Sequence, residues 1–288
     1  VGNNMAALAC SMGVMGVSLV RFLSNGPLRK SPQGRHTKDN DGPITHEEYF
    51  RRTESPIDEK GMEKKMSKFV RSHLKAGRKI VCVTGGGTTV PLEKNTVRFI
   101  DNFSTGTRAA ISVEYFLKKG YAVLYLRRKG SVDAFARHIQ KDLKSRYVDH
   151  NLLSSVALDA KGKNVVSLEL TEATVDNIRQ FHTIKEKGLL QSVEFESCDE
   201  YFFLLRLAAR ATQLAGSNGM MYFSAAVSDF FMTDQPTHKI QSRDGPLHLV
   251  LQQTPKLELV FISTTMPTIC ERRQTITKYR YIILLIEC

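Results

Sequence analysis

Four short segments carry residue types that bind and polarise phosphates. The first is Thr84-Gly85-Gly86-Gly87-Thr88-Thr89-Val90-Pro91. With no Cβ in the way, the backbone N–H groups of its glycines can approach a phosphate oxygen closely. The second, Arg98 to Gly106 (RFIDNFSTG), stands just before a helical pattern. Ser104, Thr105 and Gly106 can cap that helix, whose first unsatisfied N–H groups make an anion pocket. The third, Ser224 to Phe230 (SAAVSDF), sets small residues at a strand end, where a flat nucleotide fits. Asp229 follows, suited to a ribose hydroxyl, a base amine or a metal-bound water. The fourth, His238-Lys239-Ile240-Gln241-Ser242, with Lys256 downstream, supplies cations. Taken singly these are ordinary features: an N-cap, a turn aspartate, a solvated lysine. Two such loops meeting at one sheet edge make a phosphate site, since ligands of open α/β sheets bind where strands end and helices begin.

A dinucleotide-binding turn is the rival reading of the glycines. It requires them to open a helix at once, whereas Pro91 and the extended character of Thr88 to Leu92 predict an irregular loop. It also requires an acid for the ribose at the end of the second strand, where Arg127 and Arg128 stand.

The elements that must position these segments follow from periodicity. Lys79 to Thr84 (KIVCVT) is a β-rich apolar run, the pattern of a fully buried parallel strand entering a ligand loop. A helix through Ala110, Val113, Phe116 and Leu117 closes on Gly120, and Tyr121 to Leu126 is the next strand. Further strands are expected at Val165 to Leu170, Leu190 to Phe195 and Met220 to Val227, with helices near Thr174 to Lys187 and Asp199 to Leu214. Two helices lead in between Thr45 and Ala76, marked by Tyr49 and Phe50, then Met62, Met66, Phe69, Val70 and Leu74. The alternation predicts an α/β fold, a mostly parallel sheet with helices on both faces.

With 288 residues, 42% of them hydrophobic, the chain can bury one sizeable core. Its formal charge of +12 suits small anionic ligands as well as polyanions. About half of that excess precedes the first strand, because the first 78 residues hold 14 basic and 8 acidic side chains. We therefore expect no nucleic-acid and no membrane partner. Five widely spaced cysteines without a C-x-x-C pair fit a reducing compartment and no structural zinc, and Cys82 reads as a packed thiol. The apolar stretch at residues 5–20 is short, interrupted by Gly and Ser, and lacks the positively charged leader that a secretory signal needs. Val1 to Lys38 holds five basic residues and no acid, a composition that mitochondrial leaders share, so the expectation is a cytoplasmic protein with a mitochondrial one as the alternative. Pro27 to Pro43 reads as a linker. The expected organisation is a leader over 1–44, a folded domain over 45–257 and a tail over 258–288.

Together, VTGGGTTVPLE, VRFIDNFSTG, AAVSDF and HKIQS, in this order and spacing, resemble the phosphopantothenoylcysteine synthetases of the eukaryotic, single-function kind, from about Glu47 to Leu257. The resemblance implies a Rossmann-like core and a homodimer in which segments of one subunit complete the partner's site. It implies an ATP-dependent ligase, assisted by Mg²⁺, that activates the phosphopantothenate carboxylate as an acyl-nucleotide and joins it to cysteine on the route to coenzyme A. By the same resemblance, Gly86, Ser104 and Gly106 contact the nucleotide, as do Ala225, Ala226 and Asp229. Asn102 holds the acyl-phosphate, Lys239 stabilises charge during activation, and no protein side chain is assigned as a metal ligand. Two departures stand out. Ala109 replaces a family glycine, which predicts a methyl close to the phosphate, and after Leu257 the resemblance stops, so the family's later strands are not expected in 258–288. The alternatives are a non-catalytic relative that serves as a dimer partner and a nicotinamide oxidoreductase.

Overall fold

A computed structural model describes residues 44–255 apart from 96, 147–155, 163–164, 169, 242–244 and 246. The expected leader, except Ile44, and the expected tail lie outside the described residues, as do Ser242 and Lys256.

β1 (Ile80–Gly87), β4 (Ala122–Arg128), β7 (Leu190–Phe195) and β8 (Gly219–Tyr222) form a sheet in the order β7-β4-β1-β8, and the short β9 (Ala225–Ala226) also pairs with β1. Every pairing in it is parallel. The period-2 rule of strands decides which side chains meet which helices. Ile80 and Cys82 of β1, with Ala122, Leu124 and Leu126 of β4, pack with Tyr49 of α1 (His46–Arg52), Met66, Phe69 and Val70 of α2 (Glu59–Lys75), and Tyr201, Phe202 and Leu205 of α6 (Cys198–Gln213). Val81 and Val83, with Val123 and Tyr125, face α3 (Thr107–Lys118) through Ala109, Ala110, Val113 and Phe116, and α5 (Glu172–Glu186) through Ile184. Both faces are thus covered, as a buried parallel sheet requires. The helix starts have local reasons: Thr45, Asp58 and Thr171 accept from their own first turns, and Ser197 with Glu200 forms a capping box on α6.

Three expectations need correction. The run at Val165 is a strand, β6 (Val165–Leu168), but it pairs antiparallel with β5 (Val156–Leu158) in a separate hairpin rather than joining the main sheet. An apolar β-branched run has the same appearance in either place. Thr88 to Leu92 is not an irregular loop: Thr89–Pro91 is β2, paired antiparallel with β3 (Phe99–Asp101). Pro91 sits at the end of this two-stranded unit, where a missing N–H is tolerated. Lastly, the first strand continues through all three glycines to Gly87.

Candidate nucleotide site

The C-terminal end of β1 is where the first three segments meet. Gly86 has φ +90°, and a Cβ there would stand 2.5 Å from the Arg128 Cβ. Gly106, at φ +75°, has room for a Cβ only 3.0 Å from Ser131 Cβ and 3.5 Å from the Gly86 nitrogen. The two glycine loops therefore touch, and each needs glycine for both its backbone conformation and its crowding. On the other side of β1, Ala225 and Ala226 pair with Gly86 and Gly87. A flat surface of backbone and methyl groups results, open to the close approach that a nucleotide needs.

Gly106 is the N-cap of α3, with no side-chain capping bond and no acid in the first turn, and Arg108 is exposed beside it. Neither Ser104 nor Thr105 is the N-cap residue. Ser104 Oγ accepts from Gly106 N–H within the loop, and Thr105 Oγ1 from the N–H of Thr107, the first helical residue, each at 3.4 Å. The helix start thus presents backbone donors and a positive dipole end to whatever lies over Gly86. Ala109 is completely buried, and its Cβ lies 2.1 Å from the place a Gly85 Cβ would take. Its methyl fills the space over Gly85 between α3 and the sheet.

Asn102 closes the site from the β3 side. Its backbone N–H donates to Thr88 O at 3.0 Å and its side-chain Nδ2 donates to Val227 O at 2.7 Å. Two buried threonines anchor the opposite wall. Thr84 Oγ1 accepts from Ser224 and Ala225 N–H at 3.2 and 3.3 Å, and Thr88 Oγ1 accepts from Ser228 N–H at 3.0 Å. Asp229 is exposed at the end of this wall, its backbone carbonyl accepting from Thr254 N–H at 2.9 Å.

Lys239 is also exposed, and it is reached through residues that motif reasoning passed over. Glu93 is fully buried and accepts from Arg98 Nε at 2.9 Å, Nη2 at 2.6 Å and backbone N–H at 3.0 Å. Burial pushes its carboxyl up, but these donors, with Ile240 N–H, outweigh burial and hold it below the usual carboxylate range. Arg98 Nη2 donates as well to Ile240 O at 2.7 Å. Glu93 and Arg98 were legible only as opposite charges five residues apart across a turn. Gly86, Gly106, Asn102, Ala225 and Ala226 are thus brought together directly; Ser104 flanks Gly106, Asp229 lies at the rim, and Lys239 is attached through the β2–β3 hairpin.

The strand end that a nicotinamide site would furnish with an acid is occupied by paired cations. Arg128 donates to both carboxylate oxygens of Asp101, at 2.6 and 3.1 Å, and Arg127 to Glu194 at 2.6 Å. Cys82 is buried, and desolvation pushes its thiol up to about 12, so it is a packing residue. Glu114 of α3, buried, collects Phe135 N–H, Arg137 and His138 Nε2 at 2.6–3.0 Å. That cluster pins Phe135, at φ +66°, and steadies the loop that puts Ser131 beside Gly106.

No family model matches the chain. It is 35% identical over 229 residues to phosphopantothenate–cysteine ligase 2 of Oryza sativa, covering 77% of this chain and 68% of the rice protein. With the Homo sapiens phosphopantothenate–cysteine ligase it shares 38% identity over 199 residues, 67% of this chain and 61% of the human one. With ligase 1 of rice the identity is 42%, over 61% of this chain and 53% of that one, so the chain spans between about half and two thirds of the length of these relatives. A solved structure of a histidine-to-alanine mutant of Cab2 superposes with a TM-score of 0.65 at 31% identity, covering 82% of this chain and 72% of that one. The same mutant in complex with phosphopantothenate-cysteine superposes with a TM-score of 0.60. A Rossmann-like sheet with two glycine loops and an asparagine gathered at the end of its first strand, and this degree of likeness to the rice enzyme, place the chain in the phosphopantothenate–cysteine ligase family.

Proposed function

We propose that this chain forms the bond between phosphopantothenate and cysteine in coenzyme A biosynthesis, with ATP as the activating nucleotide. The observation that carries the reading is the contact between the Gly86 and Gly106 loops beneath the wall of Ala225 and Ala226. In the first step a carboxylate oxygen of phosphopantothenate attacks the α-phosphorus of ATP. The bond from that phosphorus to the bridging oxygen breaks, and pyrophosphate leaves. In the second, the cysteine amine attacks the acyl carbon, loses a proton, and expels AMP. Charge gathers on phosphate oxygens in the first step. Gly86, Gly106 and the α3 N-terminus meet it with backbone dipoles, and Lys239 with a cation. Ser104 and Asp229 border the nucleotide, and Asn102 holds the acyl-phosphate with the second N–H of its amide.

Mg²⁺ fits this site as an ion carried chiefly by the nucleotide's phosphates. Among the described residues no group of three or more His, Cys, Asp or Glu side chains is arranged to hold a metal, and Mg²⁺ commonly takes only one or two protein carboxylates beside phosphate and water. When bound it would neutralise phosphate charge, and Asp229 at the rim would meet it through a metal-bound water. A homodimer is supported by the apolar side chains left exposed beside the site, with Phe99, Phe103 and Phe230 at 48, 77 and 51% exposure. Among the described residues no helix is long and apolar enough to cross a membrane. A cytoplasmic setting is supported by the buried, free thiol of Cys82.

The test is pyrophosphate release by the 288-residue chain supplied with phosphopantothenate, ATP and Mg²⁺, followed by AMP release on adding cysteine. Lys239→Gln should slow the first step by about 10² to 10³ without unfolding the protein, the usual loss for one well-aimed donor. Absence of phosphopantothenate-dependent pyrophosphate release from the folded parent chain would overturn the reading, and unchanged release in Lys239→Gln would remove that residue from the site.

A further inference from the structure

The Lys239 segment is fastened at two points to the turn that joins β2 to β3. On the N-terminal side, Gln235 Nε2 donates to Pro91 O at 2.8 Å, Lys94 N–H to Pro236 O at 3.0 Å and Asn95 N–H to Thr237 O at 3.4 Å. On the C-terminal side, both backbone polar groups of Ile240 are taken up by one ion pair: its carbonyl by Arg98 Nη2 and its N–H, at 3.4 Å, by Glu93 Oε1. Only His238 and Lys239 lie between the anchors. Glu93 has no exposed surface, and its carboxylate is filled by Arg98 and Ile240, so the pair has one arrangement rather than the many of a solvated bridge.

From this we infer that the Glu93–Arg98 pair, with its carboxylate buried, is the positioning device for Lys239, setting the backbone from which that side chain reaches toward the developing charge. The inference rests on the role given to Lys239 above. Neither Glu93 nor Arg98 touches the reacting atoms in this account; both act through the main chain of Ile240. A carboxylate is required at residue 93 because the forked guanidinium and two N–H groups all point donors at it, and a neutral amide would turn donors of its own toward Arg98. Arginine is required at residue 98 because one ammonium cannot serve Glu93 and Ile240 O together in that geometry.

The test compares Glu93→Gln, Arg98→Lys and the double variants of each with Lys239→Gln, all in the full chain. Amide hydrogen exchange at Ile240 is followed by mass spectrometry, and pyrophosphate release is measured with phosphopantothenate and ATP. Both single variants should speed exchange at Ile240 and slow pyrophosphate release by about 10²-fold, the usual effect of a displacement near 1 Å, with affinity for ATP unchanged. In the Lys239→Gln background neither should slow the step further, because a positioning effect has nothing left to position. Should Glu93→Gln fail to fold, Arg98→Lys carries the test, since the Arg98 side chain is 37% exposed and a lysine head can reach water. Parental exchange at Ile240 in a folded variant, or full additivity with Lys239→Gln, would overturn the inference. Faster exchange with a silent Lys239→Gln would support the positioning device and dismiss the catalytic lysine instead.

Discussion

The side-chain amide of Asn102 donates to the main-chain carbonyl of Val227 at 2.7 Å, joining the end of the β2–β3 hairpin to the strand wall on the far side of β1. One N–H of that amide is thereby committed to structure. The second N–H and Oδ1 keep a fixed direction because of it, which is what an intermediate formed only after activation can use.

Asn102→Ala should therefore do two separable things. It removes one part-buried hydrogen bond, lowering stability by about 1 kcal/mol. It also weakens retention of the acyl-nucleotide more than it weakens ATP binding. Calorimetric titration with ATP and with a non-hydrolysable acyl-nucleotide mimic checks the second effect; equal losses for both ligands would contradict the assigned role.

Gly106→Ala and Gly130→Ala make a matched pair. Both residues have left-handed backbone, φ +75° and +76°, so each substitution carries a conformational cost of about 1–3 kcal/mol. Around Gly130 nothing stands within 4 Å of a new Cβ, whereas at Gly106 it would press on Ser131 and lie against the Gly86 nitrogen. Thermal unfolding should show Gly106→Ala as the more damaging, and only Gly106→Ala should lose ATP affinity beyond what its instability explains.

Acid should loosen the loop that carries Ser131. Burial raises the Glu114 carboxyl, but Arg137, Phe135 N–H and His138 lower it by more, so its folded value lies below the unfolded one. A group of that kind contributes stability in full above its unfolded value, about 4.3, and loses it as pH falls through the lower folded value. Thermal unfolding followed from pH 6 to pH 3 should fall more steeply for the parent than for Glu114→Gln, which begins less stable but lacks this titration. Parallel curves would show that the cluster contributes nothing to the acid limb.

Tyr125→Phe is expected to be neutral or stabilising. The Tyr125 hydroxyl is buried, has no hydrogen-bond partner among the described residues, and desolvation pushes it up to about 12. An unsatisfied buried donor costs about 1–3 kcal/mol, and phenylalanine keeps the ring that packs on α3. A melting temperature lowered by the substitution would show that the hydroxyl is satisfied in solution.

How much of this was legible depends on whether a residue's role is written in its own type. Gly86, Gly106, Ala225 and Ala226 were readable because close backbone approach excludes larger side chains, and a run of small residues after an apolar strand has few other causes. Ile80 to Val83 announced a strand with two buried faces. Val165 to Leu168 announced a strand but not its partner, since pairing is long-range and an apolar run is silent about it. The helix start is one residue later than the N-cap preference of Ser104 and Thr105 suggests, because the left-handed Gly106 takes the N-cap position and leaves Ser104 bonded to the loop and Thr105 to the first helical N–H. Glu93 and Arg98 stayed hidden because charges either side of a turn read as solvated surface. That Ala109 packs on Gly85 is a contact between helix and strand that no local pattern announces.

β8 and β9 are one strand interrupted at Phe223 and Ser224, and the interruption is spanned by a hydroxyl: Thr84 Oγ1 takes two N–H groups that a ladder carbonyl would otherwise serve. The wall of the candidate nucleotide site is thus fastened partly by a side chain, and side chains, unlike main-chain ladders, can be exchanged by a single codon. Valine at position 84 would keep the shape and the β-strand preference while stranding the amides of Ser224 and Ala225. A change that looks conservative by size and hydropathy would detach the binding surface from an otherwise undisturbed core.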